Sequence, residues 1–316
     1  MVLGRAGYDL YSAQPGQPLD QVRRFEAGLG GSSANIAVGL ARLGWRVSLG
    51  AAVSADAVGR FIRSRLAAEG VHLGALQTVA GHTSSMCLTE IAPPDGAEQV
   101  FYRCRPADEQ LRWTRALQAE LRAAHGGLFL TNGTSLCALP SRATTLRALA
   151  AARRAGLTTV LDVDYRESSW PSATAAGRAA WAALPLVDVV LANEVEMRLL
   201  AAAARRPGGD RVARTMLARG ARVVVCKQGA AGVVAYSAAG RIRRPAAATP
   251  VVSTVGAGDG FAAGFLDAFG RGQPLAACLE RGSASAAWVV ARVGCAEAMP
   301  FPADLAPRPG AARIVV

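Results

Sequence analysis

Lysine is almost missing from this 316-residue chain: among 35 basic residues there is one, Lys227, and the rest are arginine. Histidine is scarce at three residues, and aromatics make up 6%. The six cysteines, at 87, 104, 137, 226, 278 and 295, form no Cys-x-x-Cys pair and have no histidine at metal spacing. That excludes a structural zinc and a disulfide framework; Cys226 and Cys278 fall in apolar segments and read as small core residues. No apolar run reaches the length of a membrane span. The opening "MVLGRAGYDLY" lacks the charged-then-apolar layout of a signal peptide. The expectation is a cytoplasmic, soluble protein with no membrane partner. Both common nucleotide fingerprints are absent. G-x-G-x-x-G counted from Gly256 needs glycine where Phe261 stands, and no G-x-x-x-x-G-K-[ST] occurs. The first absence removes the nicotinamide dehydrogenases.

What is present is 51% hydrophobic residues, enough for a sizeable core, and a net charge of +12. The arginines are dispersed over "RRFEAG"- and "ARRAG"-like pieces, with no aromatic-interleaved basic stripe, so no nucleic-acid partner is expected. A positive field that draws in anionic small molecules is the milder reading. Apolar runs alternate with Ala/Arg/Leu-rich helical stretches. "GLFLTNG" (127–133) precedes a helix at 141–155, and "TTVLDVDYR" (158–166) another at 173–184; "VDVVLAN" (187–193) and "ARVVVCKQG" (221–229) follow. Continuous β-branched runs between helices predict a doubly wound α/β fold, its mostly parallel sheet covered on both faces, in one domain spanning 1–316. Ligands of such a fold sit at the carboxyl ends of the strands. The apolar residues 247–252 are expected to form one more strand. Segments 11–29 and 84–103 break the pattern and predict extra strands, the second a hairpin turning at "PPDGA"; together they would make a small lid. The tail 306–316 is expected to be irregular.

Four places carry chemistry. In "VVSTVGAGDGFAAGFLDAF" (251–269) a Gly-Ala-Gly turn leads into an amphipathic helix. Free backbone N–H groups and the positive end of a helix make a seat for an anion. Asp259 inside that seat would repel a phosphate, so it needs a second purpose, and taking a proton from a nucleophile is the obvious one. In "GLGGSSANIAVGLARLG" (28–44) a helix from Ala34, capped by Ser32 or Ser33, carries Asn35 in its first turn. Asp9, just after the first strand in "GRAGYDLY", either accepts from paired sugar hydroxyls or caps a turn. Asn193 and Glu196 in "NEVE" fit a capping box as well as a water-ordered magnesium shell. Lys227 is either a chance survivor in a chain biased toward arginine or a compact point charge that arginine's planar fork does not replace.

Together these pieces resemble the ribokinase-like, or PfkB, family of carbohydrate kinases. "GGSSANIAVGLARLG" is similar to that family's N-terminal signature and "STVGAGDGFAAGF" to its C-terminal one, with Ser253 where the family usually has aspartate. The resemblance implies ATP-dependent phosphorylation of a sugar hydroxyl with Mg2+, and a monovalent cation as a further candidate. Asp259 would be the base, with Gly256, Ala257 and Gly258 forming the anion hole. Asp9, Gly31 and Asn35 would hold the sugar. Asn193 and Glu196 would lie near magnesium and the phosphates, Glu196 acting through water, and Lys227, Gly229, Gly232 and Ser253 would line the nucleotide. In relatives the lid often builds a homodimer.

"GRAGYDLY", "FYRCRPAD", "LDVDYRESSW" and "GCAEAMP" narrow the resemblance. They are similar to segments of the branch that phosphorylates a six-carbon keto acid, 5-dehydro-2-deoxygluconate, in myo-inositol breakdown. An acid substrate calls for arginine; Arg103, beside Tyr102 on the lid, and Arg166 are the candidates, with Arg5 a weaker one. The competing readings are a 2-keto-3-deoxygluconate kinase and a non-catalytic sugar-acid sensor on the same fold.

Overall fold

The computed structural model describes residues 1–93, 98–205 and 208–306. Most of the expected "PPDGA" turn and the tail from residue 307 lie outside the described residues. The first part of the chain runs β1 (Val2–Leu3), β2 (Gly7–Ser12), β3 (Phe25–Gly30), α1 (Ser32–Arg42), β4 (Leu49–Ser54), α2 (Ala57–Ala68) and β5 (Leu76–Val79). It continues through β6 (Met86–Thr89), β7 (Gln99–Tyr102), α3 (Arg115–Ala123), β8 (Leu128–Asn132), α4 (Ser141–Arg154) and β9 (Thr158–Asp162). Then come α5 (Ala173–Ala183), β10 (Val189–Asn193), α6 (Glu194–Ala203), α7 (Asp210–Ala218) and β11 (Val223–Lys227). The described part closes with β12 (Val233–Ser237), β13 (Gly240–Arg244), α8 (Ala257–Gly270) and α9 (Leu275–Val290).

Nine strands form one sheet in the order β13-β12-β11-β10-β9-β8-β1-β4-β5. Every pairing from β11 to β5 is parallel; β12 and β13 add an antiparallel edge. The parallel strands carry the unbroken Val/Leu runs because both their faces are covered. One apolar layer packs α1, α2, α8 and α9 on one face, around Ile36, Ile62, Phe265 and Leu279. The other packs α3 to α7 around Leu117, Phe129, Leu149 and Val212. No helix among the described residues is long and apolar enough to cross a membrane.

Residues 247–252 do not form the expected strand. Pro250 has no N–H for a ladder and restricts the residue before it, and the chain instead docks by donating the Val252 and Ser253 N–H groups to the Val290 carbonyl. The sheet gains its edge from β12 and β13. The two expected excursions do pair, as a second sheet in the order β3-β2-β6-β7. Its first strand starts earlier than residue 11, so Asp9, which follows β1 of the main sheet in the chain, itself lies within β2.

The register of this small sheet sorts its side chains. Asp9, Cys87 and Phe101 stand opposite one another in one row, and Leu10, Leu88 and Val100 in the next, which faces the other way. Asp9 and Cys87 are buried, whereas the Leu10 row is half-exposed.

α1 and α8 approach closely. A Cβ on Gly39 would lie 2.7 Å from that of Ala263 and 3.0 Å from the Met299 sulfur. Gly39→Val is therefore expected to destabilise the protein by about 1–3 kcal/mol through overpacking and to push the N-termini of the two helices apart. Denaturant unfolding reads the first effect; a fall in turnover of the remaining folded protein reads the second.

Candidate active site

Gly256 opens α8 in the left-handed region, at φ 82°, and a Cβ there would sit 3.0 Å from the Cys295 sulfur. Only glycine meets both conditions. No side chain caps α8; the Ala257 N–H reaches back to the Thr254 carbonyl at 3.3 Å, and the Gly258 amide is left for an incoming anion. The Lys227 ammonium lies 3.5 Å from where a Cβ on Gly258 would be, so a cation stands against this turn. Its own anchor is Asp162 at the end of β9, at 3.0 Å. Burial pulls the Lys227 pKa down, but Asp162 and Glu196 outweigh it and hold the ammonium charged.

Asp259, in the first turn of α8, is buried and accepts two hydrogen bonds from α1: from the Ser32 hydroxyl at 2.6 Å and the Asn35 amide at 2.8 Å. The expected capping by Ser32 or Ser33 does not occur. Gly31 is the N-cap and both serines lie inside the helix, which frees their hydroxyls for tertiary bonds. Ser33 donates to the Asn132 side-chain oxygen, and Asn132 in turn donates to Ser32 at 2.8 Å. That fixes the Ser32 proton on Asp259. Burial raises the Asp259 pKa and nearby Asp164 adds to it, while the Ser32 and Asn35 bonds and Arg166 pull it back. The net result is a carboxylate with raised proton affinity, equipped to accept a proton.

Asp259, Gly256, Asp9, Gly31, Asn35 and Arg166 line one cleft with about 440 Å³ of space, part of it open to solvent. Burial pushes Asp9 up to about 6, partly offset by the hydrogen bond its carboxylate accepts from the Tyr11 hydroxyl at 3.1 Å. The Asn35 side-chain oxygen is buried without a partner, an acceptor left for a ligand. Arg166 is held by Asp164 at 3.1 Å, and Asp164 itself carries a positive φ of 35°, strain of the sort found at functional sites.

Tyr102 and Arg103 do not line the cleft. Strand alternation turns Phe101 inward and Tyr102 outward, where it is 58% exposed. The Arg103 guanidinium is taken up by Asp108 at 2.9 Å, Ser85 at 2.7 Å and Glu109 at 3.3 Å. In their place the cleft offers Phe101 and the weaker candidate, Arg5.

The residues expected along the nucleotide stand at neighbouring strand ends. Asn193 and Glu196 form a complete capping box on α6. Both Glu196 oxygens also accept backbone N–H groups, from Tyr165 at 2.9 Å and Asn193 at 2.7 Å, leaving one lone pair each for water. Gly229 and Gly232 take positive φ in the turn after β11. The Ser253 hydroxyl accepts from the Val255 N–H at 3.3 Å and shapes the approach to Gly256. No cluster of three or more His, Cys, Asp or Glu able to hold a metal directly occurs among the described residues. Asn132, Asp162 and Phe101 carry much of this geometry without being singled out in the sequence, where Ser32 reads only as a helix cap; for Phe101 the signal is the alternation Gln99–Phe101 against Val100–Tyr102.

Residues 1–302 match the model of the pfkB family carbohydrate kinases. The chain belongs to the PfkB family. It is 33% identical over 302 residues to the 5-dehydro-2-deoxygluconokinase of Shouchella clausii, covering 95% of this chain and 92% of that protein. A PfkB protein of Polaromonas sp. superposes with a TM-score of 0.81 at 25% identity, over 96% of this chain and 97% of its own. Fructokinase from Vibrio cholerae, solved with fructose, ADP and calcium, superposes at 0.83 with 23% identity, over 96% and 97% of the two chains. This PfkB chain is thus an ATP-dependent sugar kinase with the ribokinase-like fold.

Because the Ser32 bond favours the ionised carboxylate, Ser32→Ala is expected to raise the Asp259 pKa further. Aspartate 13C chemical shifts followed against pH would register the rise.

Proposed function

We propose that this kinase transfers the γ-phosphoryl group of ATP to the C6 hydroxyl of 5-dehydro-2-deoxy-D-gluconate, with Asp259 as the base. The observation that carries the reading is the placement of Asp259, a buried carboxylate at the uncapped N-terminus of α8 and at one end of a cleft that also holds arginine. The similarity to a 5-dehydro-2-deoxygluconokinase over 95% of the chain supports the acid substrate. Arg166 in the cleft supports it chemically, since guanidinium is suited to a carboxylate.

Asp9 and Asn35 bind sugar hydroxyls, and the attacking hydroxyl lies against Asp259. As its oxygen bonds to phosphorus and the bond to the ADP oxygen breaks, the hydroxyl proton passes to Asp259. The transfer comes late, when the hydroxyl has become acidic enough for a carboxylate to take it. The amides of Gly256, Ala257 and Gly258 meet the charge of the moving phosphoryl group, and the Lys227 ammonium beside them adds a fixed positive charge. The residues present fit Mg2+ carried on the nucleotide phosphates: Glu196 keeps free lone pairs for the ion's water shell, and no direct cage is present among the described residues. Bound there, Mg2+ would neutralise phosphate charge. Asn193, Gly229, Gly232 and Ser253 line the nucleotide. The β2-β3-β6-β7 sheet is the lid that keeps water from the phosphoryl group.

The test is coupled ADP release with ATP and Mg2+ on 5-dehydro-2-deoxygluconate, 2-keto-3-deoxygluconate, fructose and ribose. The first is expected to show the highest kcat/KM; a preference for fructose or ribose overturns the acid substrate. Asp259→Asn is expected to fold and to lose at least about 100-fold in kcat, and turnover near that of the parent would overturn the base.

The lid also supports a homodimer. Its outward row of Leu10, Leu88 and Val100 is apolar and half-exposed, with Tyr102 beside it. Leu88→Glu is expected to convert a dimer to a monomer in sedimentation equilibrium; a protein already monomeric before the change overturns this part.

A further inference from the structure

The guanidinium of Arg5 is buried in the wall of the cleft with nothing to hold. The residue is 5% exposed, its Nη1 has no hydrogen-bond partner, and it forms no ion pair among the described residues. Other arginines near the cleft are engaged: Arg103 is bound by Asp108 and Ser85, and Arg166 by Asp164. A buried cation without a partner is costly, and a fold with arginine so freely available has kept one here.

Its placement is rigid. Arg5 sits on the link between β1 and β2, where its carbonyl accepts the Ala34 N–H at 3.2 Å and lies 2.6 Å from where a Cβ on Gly31 would be. The backbone is thus clamped against the start of α1, the helix that holds Asp259. The side chain reaches the face of Phe101, 5.8 Å from the ring centroid, and Arg166 lies 5.9 Å from the same centroid. Two guanidiniums therefore share one aromatic platform, and both line the cleft that ends at Asp259. Phe101 orders both stems while offering no hydrogen bond of its own.

We infer that Arg5 is the residue that selects an acid over a neutral sugar, receiving the substrate carboxylate together with Arg166 across Phe101; this rests on the sugar-acid reading above. The orphaned Nη1 gains its partner from the ligand, and a neutral group in the same place leaves the buried charge without a counter-charge. Discrimination then comes from a fork that only an anion satisfies, as in sites that reject a ligand lacking one polar group.

The experiment compares 5-dehydro-2-deoxy-D-gluconate with its uncharged C1 amide on the unaltered kinase, Arg5→Met and Arg5→Lys. The unaltered kinase is expected to prefer the acid. Arg5→Met is expected to lose roughly 10- to 100-fold in kcat/KM for the acid, chiefly in KM, to lose far less on the amide, and to keep the KM for ATP. Arg5→Lys should recover part of the loss. Thermal unfolding of Arg5→Met without ligand is expected at the same or a higher temperature, because an unpaired buried charge has been removed. Equal losses on acid and amide, no loss on the acid, or a lowered melting temperature overturns the role of Arg5 while leaving the acid substrate standing. An unaltered kinase that treats acid and amide alike, or prefers fructose, overturns the acid substrate and the role of Arg5 with it.

Discussion

The hydrogen bonds from Ser32 and Asn35 to Asp259 join helices whose residues are 227 and 224 positions apart in the chain. Much else in the molecule follows from that junction. Two helix N-termini converge on one carboxylate, so two sets of backbone dipoles favour its ionised form where burial and Asp164 oppose it. Convergence requires the helices to lie close, and small residues make that possible: Gly39 against Ala263, and Gly264 against the Arg281 carbonyl of α9. The apolar layer that holds α1, α8 and α9 to the sheet is thus also the support of Asp259, the proposed base.

The second sheet completes the site from the other side. Tyr11 on β2 both donates to Asp9 and accepts the Cys295 N–H at 3.1 Å, and Glu297 accepts the Leu29 N–H of β3 at 2.9 Å. These bonds tie the lid strands to the segment 294–300, "GCAEAMP", which follows α9 and also crowds Gly256 through Cys295. One short stretch therefore touches the Gly256 turn and the strand that carries Asp9 at once. That gives a physical reason for a motif that carries no acid–base chemistry of its own.

The parallel strands were legible because burial on both faces leaves continuous Val and Leu runs that no other arrangement explains. The two glycine-led helices were legible for a similar reason, since only a backbone approach demands such turns. Residues 247–252 misled: they are apolar enough for a strand, but Pro250 cannot join a ladder. On the lid, the expected pair Tyr102 and Arg103 misled: strand alternation turns Phe101 in and Tyr102 out. Arg103 was lost to Asp108, five residues on, because the chain folds back after Pro106. The Asn132–Ser32 bond was invisible in principle: its partners are 100 residues apart and neither belongs to a distinctive spacing.

Lys227 shows how composition and geometry meet. In a chain that uses arginine at every other basic position, the exception stands between Asp162 and the anion turn. A guanidinium there would bring a wide planar fork to a place where the space beside Gly258 is already only 3.5 Å from the ammonium. It would also tend to bind Asp162 with both arms and turn its charge away from the turn. An ammonium is compact and can aim one proton at the carboxylate and others elsewhere. An arginine here would fill the space beside the start of α8 where the proposed phosphate binds, and lysine is the cation whose size that space permits.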